Sequence, residues 1–158
     1  MLESGPAAGV LISAHHGRRL GIPDVLSFDM GGTTAKICLI DDGDPQQSRT
    51  FEVARQYRFM KGSGIPLRIP VIEMVEIGAG GGSIANVDAM NRISVGPESS
   101  GSEPGPASYG LGGQAPTVTD ADVVLGRIDP GNFAGGSLQL NAAAASQALD
   151  RVIGERLG

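Results

Sequence analysis

The residues whose types and spacing can do chemistry gather in two glycine-rich segments. The first is Asp29-Met30-Gly31-Gly32-Thr33-Thr34, followed by Lys36. Adjacent glycines let backbone N–H groups approach phosphate oxygens, and the threonine hydroxyls add donors. A carboxylate just before them, Asp29, can hold a metal-bound water or orient an attacking group. Lys36 can reach a phosphate or, on an alternating strand, face solvent. The same spacing also describes a plain β-hairpin turn, where Gly-Gly is common.

The second segment, Gly78-Ala79-Gly80-Gly81-Gly82-Ser83, can cradle a phosphate or a substrate carboxylate. It can equally be a glycine-rich crossing between strands. It is not the dinucleotide fingerprint, because Ser83 stands where the third glycine belongs and the run leads into a strand. A Walker A loop would need Gly-Lys-Ser or Gly-Lys-Thr, which is absent. Asp29, Asp120 and Asp122 are carboxylates that can converge, though spacing alone does not bring them together. Nucleophilic signals are weak: there is no G-x-S-x-G elbow, and Cys38 lies mid-strand as a core residue. His15 and His16 are adjacent on a helix, where side chains diverge by about 100° and seldom share a metal, so they read as a solvated, partly packed helix face.

These residues must be positioned by short, turn-rich elements. Ser4, Pro6 and Gly21 mark a helix over 4–20, with Arg18 and Arg19 at its negative end. Val25–Met30 and Ala35–Ile40 read as strands around the first glycine turn, and 41–45 as the stop that follows. A looser strand runs from Thr50 to Phe59, carrying Arg55 and Arg58. Residues 61–66 then read as a flexible connection, and Val71–Ile77 as strand or short helix. Residues 84–87 and 92–95 form a hairpin, and 96–113 a long loop, a feature that is functional or argues against the assignment. Thr119 to Asp122 matches a capping box for a helix to about Leu125. Asn141 caps a final helix over 142–157, with Ala145, Leu149, Val152, Ile153 and Leu157 on its apolar face.

Composition narrows the classes. The chain has 158 residues, the length of one ordinary domain, with 25 glycines and 10 prolines, so turns dominate. A 41% apolar fraction still supports a packed core. A net charge of −5 and an aromatic content of 4% with no tryptophan disfavour nucleic acid and anionic membranes as partners. One cysteine cannot make an internal disulfide, and with two histidines it makes a poor zinc inventory. No apolar run is long enough to span a bilayer and no leader segment is evident. The expectation is a soluble chain in a reducing, cytoplasmic setting.

In order along the chain stand Glu3-Ser4-Gly5-Pro6-Ala7-Ala8-Gly9, Asp29 to Lys36 and Gly78 to Ala85. Val95 to Gly101, Glu103-Pro104-Gly105-Pro106-Ala107 and Pro116 to Arg127 follow. Taken together they resemble the hydantoinase A/5-oxoprolinase family, which includes N-methylhydantoinase A subunits and subunits of acetone and acetophenone carboxylases. The resemblance covers nearly the whole chain. It implies an α/β fold of the ribonuclease H-like, actin/Hsp70-like ATPase class, here as a partial domain. It further implies use of ATP with Mg2+ or Mn2+ to phosphorylate a carbonyl oxygen of a small cyclic amide, such as a hydantoin or 5-oxoproline, so that water can open the ring.

Carried onto this chain, the resemblance makes Asp29 the catalytic residue and Gly31, Gly32, Thr33, Thr34 and Lys36 nucleotide-binding. Gly80, Gly81, Gly82 and Ser83 come second as binding residues, and Asp29 with Asp120 are the implied metal ligands. A hydantoinase B-type subunit is the implied partner. Two departures stand out: many members have Asp where this chain has Lys36, and Cys where it has Ser108. Members of the family run to several hundred residues and carry another Asp-x-Gly-Gly-Thr turn. The expectation is therefore a single partial ATPase domain over 1–158, holding the second phosphate turn, with a risk of self-association through uncovered apolar surface. The alternatives are a non-catalytic interaction module that needs a partner chain, and a carboxylase-type or sugar-kinase-like member.

Overall fold

The computed structural model describes residues 4–54, 56–57, 60 and 62–158. Glu3 of the first motif, and Arg55, Arg58, Phe59 and Lys61 of the expected third strand and connection, lie outside the described residues. The chain forms two compact units: Met1–Asp29 with Ala35–Ile77, and Met30–Thr34 with Gly78–Gly158.

In the first unit, helix α1 spans Ser4–Leu20 and ends at Gly21, whose φ of 70° is left-handed. Ile22 N donates to Gly17 O at 2.9 Å, closing the helix as glycine-terminated helices commonly close. Val10, Ala14 and Gly17, spaced for one helix face, are its buried residues. A Cβ on Gly17 would lie 2.8 Å from Ile22 O, so only glycine fits there. Strand β1 (Val25–Met30) neighbours β2 (Ala35–Asp41). Val10 and Ala14 pack on Cys38 and Ile40 of β2, with Val25, Ile72 and Met74 around them.

The turn residues at 41–45 do not simply stop β2. Asp42 and Gly43 have φ of 50° and 80°, the two left-handed positions of a tight hairpin turn, and the chain returns as β3 (Asp44–Pro45). Arg18 Nη2 donates to Gly43 O at 2.6 Å and to Asp44 Oδ1 at 2.7 Å, tying α1 to this hairpin. Short strand β4 is Gln47–Ser48, and β5 is Phe51–Val53. Strand β6 (Ile65–Leu67) pairs with β5 in antiparallel register, so Ile65 and Pro66 belong to a strand and not to a connection. Val71–Ile77 resolves into two strands, β7 (Val71–Ile72), which pairs with β4, and β8 (Val75–Ile77), which pairs with β2.

In the second unit, β9 (Ser83–Val87) and β10 (Ile93–Ser99) form the expected hairpin. The register shifts between Val95 and Ser99, where Gly96 has a φ of 68°, and β10 runs on past this irregularity. Residues 96–99 are therefore strand, not loop. The rest of the expected loop contains a 3₁₀ turn at Ala107–Tyr109. Helix α2 covers Val118–Val124, and its N-cap is Thr117, not Thr119. Helix α3 (Ala142–Leu149) starts at Asn141, whose Oδ1 accepts from Ala144 N at 3.0 Å. The helical path continues through a widened turn at Asp150–Gly154 into α4 (Glu155–Leu157), where Leu157 is exposed. Val123, Leu140 and Ala145 centre this unit's core, with Tyr109, Ile128, Phe133 and Leu138 packed around them.

Candidate functional site

The turn at Gly31–Thr34 is held by its carbonyls. Gly31 O accepts from Gly81 N at 2.9 Å and Gly32 O from Gly82 N at 2.8 Å, while Gly31 N donates to Thr34 O at 2.9 Å. Gly31, Gly32 and Thr33 are exposed. Among the described residues, the N–H groups of Gly32 and Thr33 and the hydroxyls of Thr33 and Thr34 have no hydrogen-bond partner. A Cβ on Gly32 would meet nothing within 4 Å. The turn thus commits its carbonyls to Gly81 and Gly82 and leaves these donors unengaged, with open space at Gly32 and with Thr33 N lying against Gly80, the polarity needed by an anion site built from backbone.

The Gly80–Ser83 run has the opposite character. Gly80 N donates to Ser83 Oγ at 2.9 Å, Gly81 N and Gly82 N donate to the turn, and Ser83 N donates to Gly80 O at 3.0 Å. Each N–H that would cradle a phosphate is already engaged. The glycines are needed for close approach instead. A Cβ on Gly80 would lie 2.6 Å from Thr33 N, and one on Gly81 2.8 Å from Thr119 Oγ1. Gly80, Gly81, Gly82 and Ser83 therefore form the platform under the turn rather than a second cradle.

Asp120 is fully buried, and its carboxylate closes a four-donor network. Oδ1 accepts from Ser108 N at 2.7 Å. Oδ2 accepts from Ala107 N at 3.2 Å, Thr117 N at 2.8 Å and Thr117 Oγ1 at 2.8 Å. This corrects the expectation of a metal ligand: these lone pairs are occupied and water has no access, so Asp120 organises the 107–120 segment. Asp122 faces Arg127 at 3.5 Å. Among the described residues, no group of three or more His, Cys, Asp or Glu side chains could hold a metal ion.

Asp29 is exposed on β1, two residues before the turn. Lys36 is half-buried on β2, in register with Glu76 of β8. Cys38 is buried, and burial foremost pushes its thiol above the ordinary range, as does nearby Glu73, against a backbone hydrogen bond at Gln46. It is a core residue. The exposed rings of His15 and His16 meet edge to face at 5.8 Å. Ser108 Oγ is the one buried side-chain oxygen or nitrogen without a hydrogen-bond partner among the described residues.

Motif reading overlooked Thr117, the Thr119 contact and Ser100. Thr117-x-x-Asp120 was visible as a capping box, but it overlaps Thr119-x-x-Asp122, and only the burial of Asp120 separates them. Thr119 is free of cap duty and donates its N–H and Oγ1 to Gly81 O, at 2.8 and 2.9 Å.

Comparison with known proteins gives consistent matches. The family model described as hydantoinase/oxoprolinase matches residues 1–158. An uncharacterised protein of Methanocaldococcus jannaschii is 43% identical over 160 residues, covering 99% of this chain and 23% of the relative. The alpha subunit of caprolactamase from Pseudomonas jessenii is 40% identical over 157 residues, covering 99% of this chain and 21% of the relative. The crystal structure of that ATP-dependent caprolactamase superposes with a TM-score of 0.69 and 37% identity over 94% of this chain and 20% of that one. A nucleotide-free structure of acetone carboxylase, from work on ATP-dependent acetone carboxylation, gives a TM-score of 0.71 and 29% identity, covering 98% of this chain and 21% of that one. The α/β fold expected of the actin-like ATPase class stands, shared with both structures. The chain spans about a fifth of the length of these relatives. Among the described residues no helix is long and apolar enough to cross a membrane.

Proposed function

This chain belongs to the hydantoinase/oxoprolinase family, and on that premise we propose that it supplies one phosphate-binding side of an ATP-dependent enzyme acting on a small cyclic amide. The observation that carries the reading is the polarity of the Gly31–Thr34 turn: the Gly31 and Gly32 carbonyls are anchored, while the Gly32 and Thr33 N–H groups and the threonine hydroxyls are unengaged, with Gly32 and Thr33 exposed and Thr34 half-buried. The N–H groups of Gly32 and Thr33 and the hydroxyls of Thr33 and Thr34 bind phosphate oxygens. The open space at Gly32 leaves room for them. When bound, ATP supplies the phosphoryl group that makes an unreactive amide carbonyl open to water.

Mg2+ or Mn2+ fits here without a protein cage, because such ions keep several waters and bind through one or two carboxylates plus phosphates. Asp29, exposed on β1, is the carboxylate we assign to that role, and Lys36 is assigned to charge neutralisation. Asp120 does not fit it, for the reasons of burial and saturation above. Residues 1–158 then form a partial ATPase domain holding the second phosphate turn. Its partners are the cyclic amide and a hydantoinase B-type subunit, a reading supported by the subunit status of the caprolactamase relative. A reducing, cytoplasmic setting suits ATP use and a free, buried Cys38. A carboxylase-type role is the second reading, favoured by the acetone carboxylase superposition.

The test is thermal unfolding with and without Mg-ATP. At a hundredfold excess over Kd, a ligand of the native state adds about 2.7 kcal/mol, roughly 5–11 °C in a chain of this size. Wild type should shift upward. Asp29→Ala should lose the shift while melting like wild type without nucleotide, since Asp29 is exposed. An equal shift in the variant would remove Asp29 from the site. A wild-type melt that Mg-ATP leaves in place would instead support an interaction module.

A further inference from the structure

Gly81 and Gly82 hold the Gly31–Gly32 turn through their N–H groups, and something must in turn hold their carbonyls. Gly81 O accepts two donors from one residue, Thr119 N at 2.8 Å and Thr119 Oγ1 at 2.9 Å. Gly82 O likewise accepts two donors from one residue, Ser100 N at 2.8 Å and Ser100 Oγ at 3.2 Å. Thr119 stands in the first turn of α2 and Ser100 just past the end of β10. Two separate elements thus converge on two successive peptides with the same fork of N–H plus hydroxyl.

The consequence is a relay. A donor pair on a carbonyl polarises the amide it belongs to, so the Thr119 fork acts on Gly82 N–H, while the Ser100 fork acts on Ser83 N–H and, through Ser83 N donating to Gly80 O at 3.0 Å, on Gly81 N–H. Thr119 is buried, and Gly81 carries no side chain that could separate it from the relay, since a Cβ there would collide with Thr119 Oγ1. Gly82 is equally confined: a Cβ would lie 2.9 Å from Ser99 Oγ and 3.0 Å from Gly32 O. We infer that Thr119 and Ser100 are the positioning residues of the phosphate turn, setting where its N–H groups point without touching the nucleotide. The inference rests on the functional reading of that turn given above.

Thr119→Val keeps the shape and the backbone donor while deleting the hydroxyl, and Ser100→Ala does the same at the second fork. Thr119→Ser restores the hydroxyl. Amide hydrogen exchange of Gly81 and Gly82 is measured on the free chain, with Mg-ATP affinity and the melting temperature alongside. The expected result is exchange at Gly81 and Gly82 faster by roughly fivefold per deleted hydroxyl. Mg-ATP should bind at least as much more weakly in the Thr119→Val Ser100→Ala double variant, the melting temperature should fall by no more than roughly 4–8 °C, and Thr119→Ser alone should match wild type in exchange and affinity. Wild-type exchange and affinity in the double variant would overturn the inference. So would a lowered melting temperature with unchanged affinity, which is what a purely structural role gives. If wild type itself fails to bind Mg-ATP, the functional reading fails, and exchange at Gly81 and Gly82 still decides whether the two hydroxyls set the turn.

Discussion

Replacing Gly80 with alanine should be far more damaging than the same change at Gly32, although both lie in glycine-rich motifs, because Gly80 is buried and Gly32 exposed. A Cβ on Gly80 would sit 2.6 Å from Thr33 N, 2.7 Å from Gly31 O and 2.7 Å from Gly32 C. All three are backbone atoms, so no side chain can swing aside; the two segments must part by about 0.8 Å to restore ordinary contact. That displacement stretches the Gly81 N–Gly31 O and Gly82 N–Gly32 O bonds, now 2.9 and 2.8 Å. Two weakened hydrogen bonds of about 1 kcal/mol each and roughly 1–3 kcal/mol of overpacking give a loss of about 3–5 kcal/mol, or roughly 6–20 °C in melting temperature. At Gly32 the added methyl meets nothing within 4 Å and the backbone is not left-handed. Its effect on stability should stay within about 1 kcal/mol and can be favourable. Urea unfolding of both variants measures the contrast. Gly80→Ala unfolding at the wild-type midpoint, or Gly32→Ala falling as far as Gly80→Ala, would refute the platform argument.

Two other outcomes follow from the same unit. Asp120→Asn forces an amide NH2 among donors; even its best placement, at the Oδ1 position, sets it against Ser108 N–H. The expected loss is about 2–4 kcal/mol, read from the urea midpoint, and a loss under about 0.5 kcal/mol would show that the carboxylate does not organise its segment. Asp88 caps the turn between β9 and β10, and its carboxyl is held below the usual range, foremost by the backbone N–H of Arg92, then by the Arg92 side chain and Met90 N–H, against some desolvation. A carboxyl depressed in the folded state stabilises above its ordinary value of 3.8, and that contribution disappears as pH falls through the depressed value. The stability gap between wild type and Asp88→Asn should therefore be present at neutral pH and close in acid; a gap that persists unchanged at low pH would mean the Asp88 charge is not its source.

Local signals made much of the fold legible. Helix α1 and its glycine end, the Asn141 cap and the β9–β10 hairpin depend on residues within a few positions of one another, and the structure has them where the sequence puts them. What was not legible depended on distant partners. Whether Gly80–Ser83 cradles a ligand or supports a turn is decided by where its N–H groups go, and two of them go to Gly31 and Gly32, far back in the chain. The overlapping Thr117 and Thr119 capping patterns look alike until the burial of Asp120 distinguishes them. Asp42-Gly43 was readable as a turn, but its left-handed pair makes a hairpin into β3 rather than an end. Gly96-Pro97 interrupts the alternation of β10, which hid a strand that continues past an irregular register.

The most direct test of the central claim is to follow the backbone amide resonances of the free chain by NMR while adding Mg-ATP. If the Gly31–Thr34 turn is the phosphate site, the amides of Gly32 and Thr33 should move first and furthest, with Gly81 and Gly82 following through the shared hydrogen bonds. Resonances that stay fixed at Gly32 and Thr33, or that move mainly elsewhere in the chain, would contradict it.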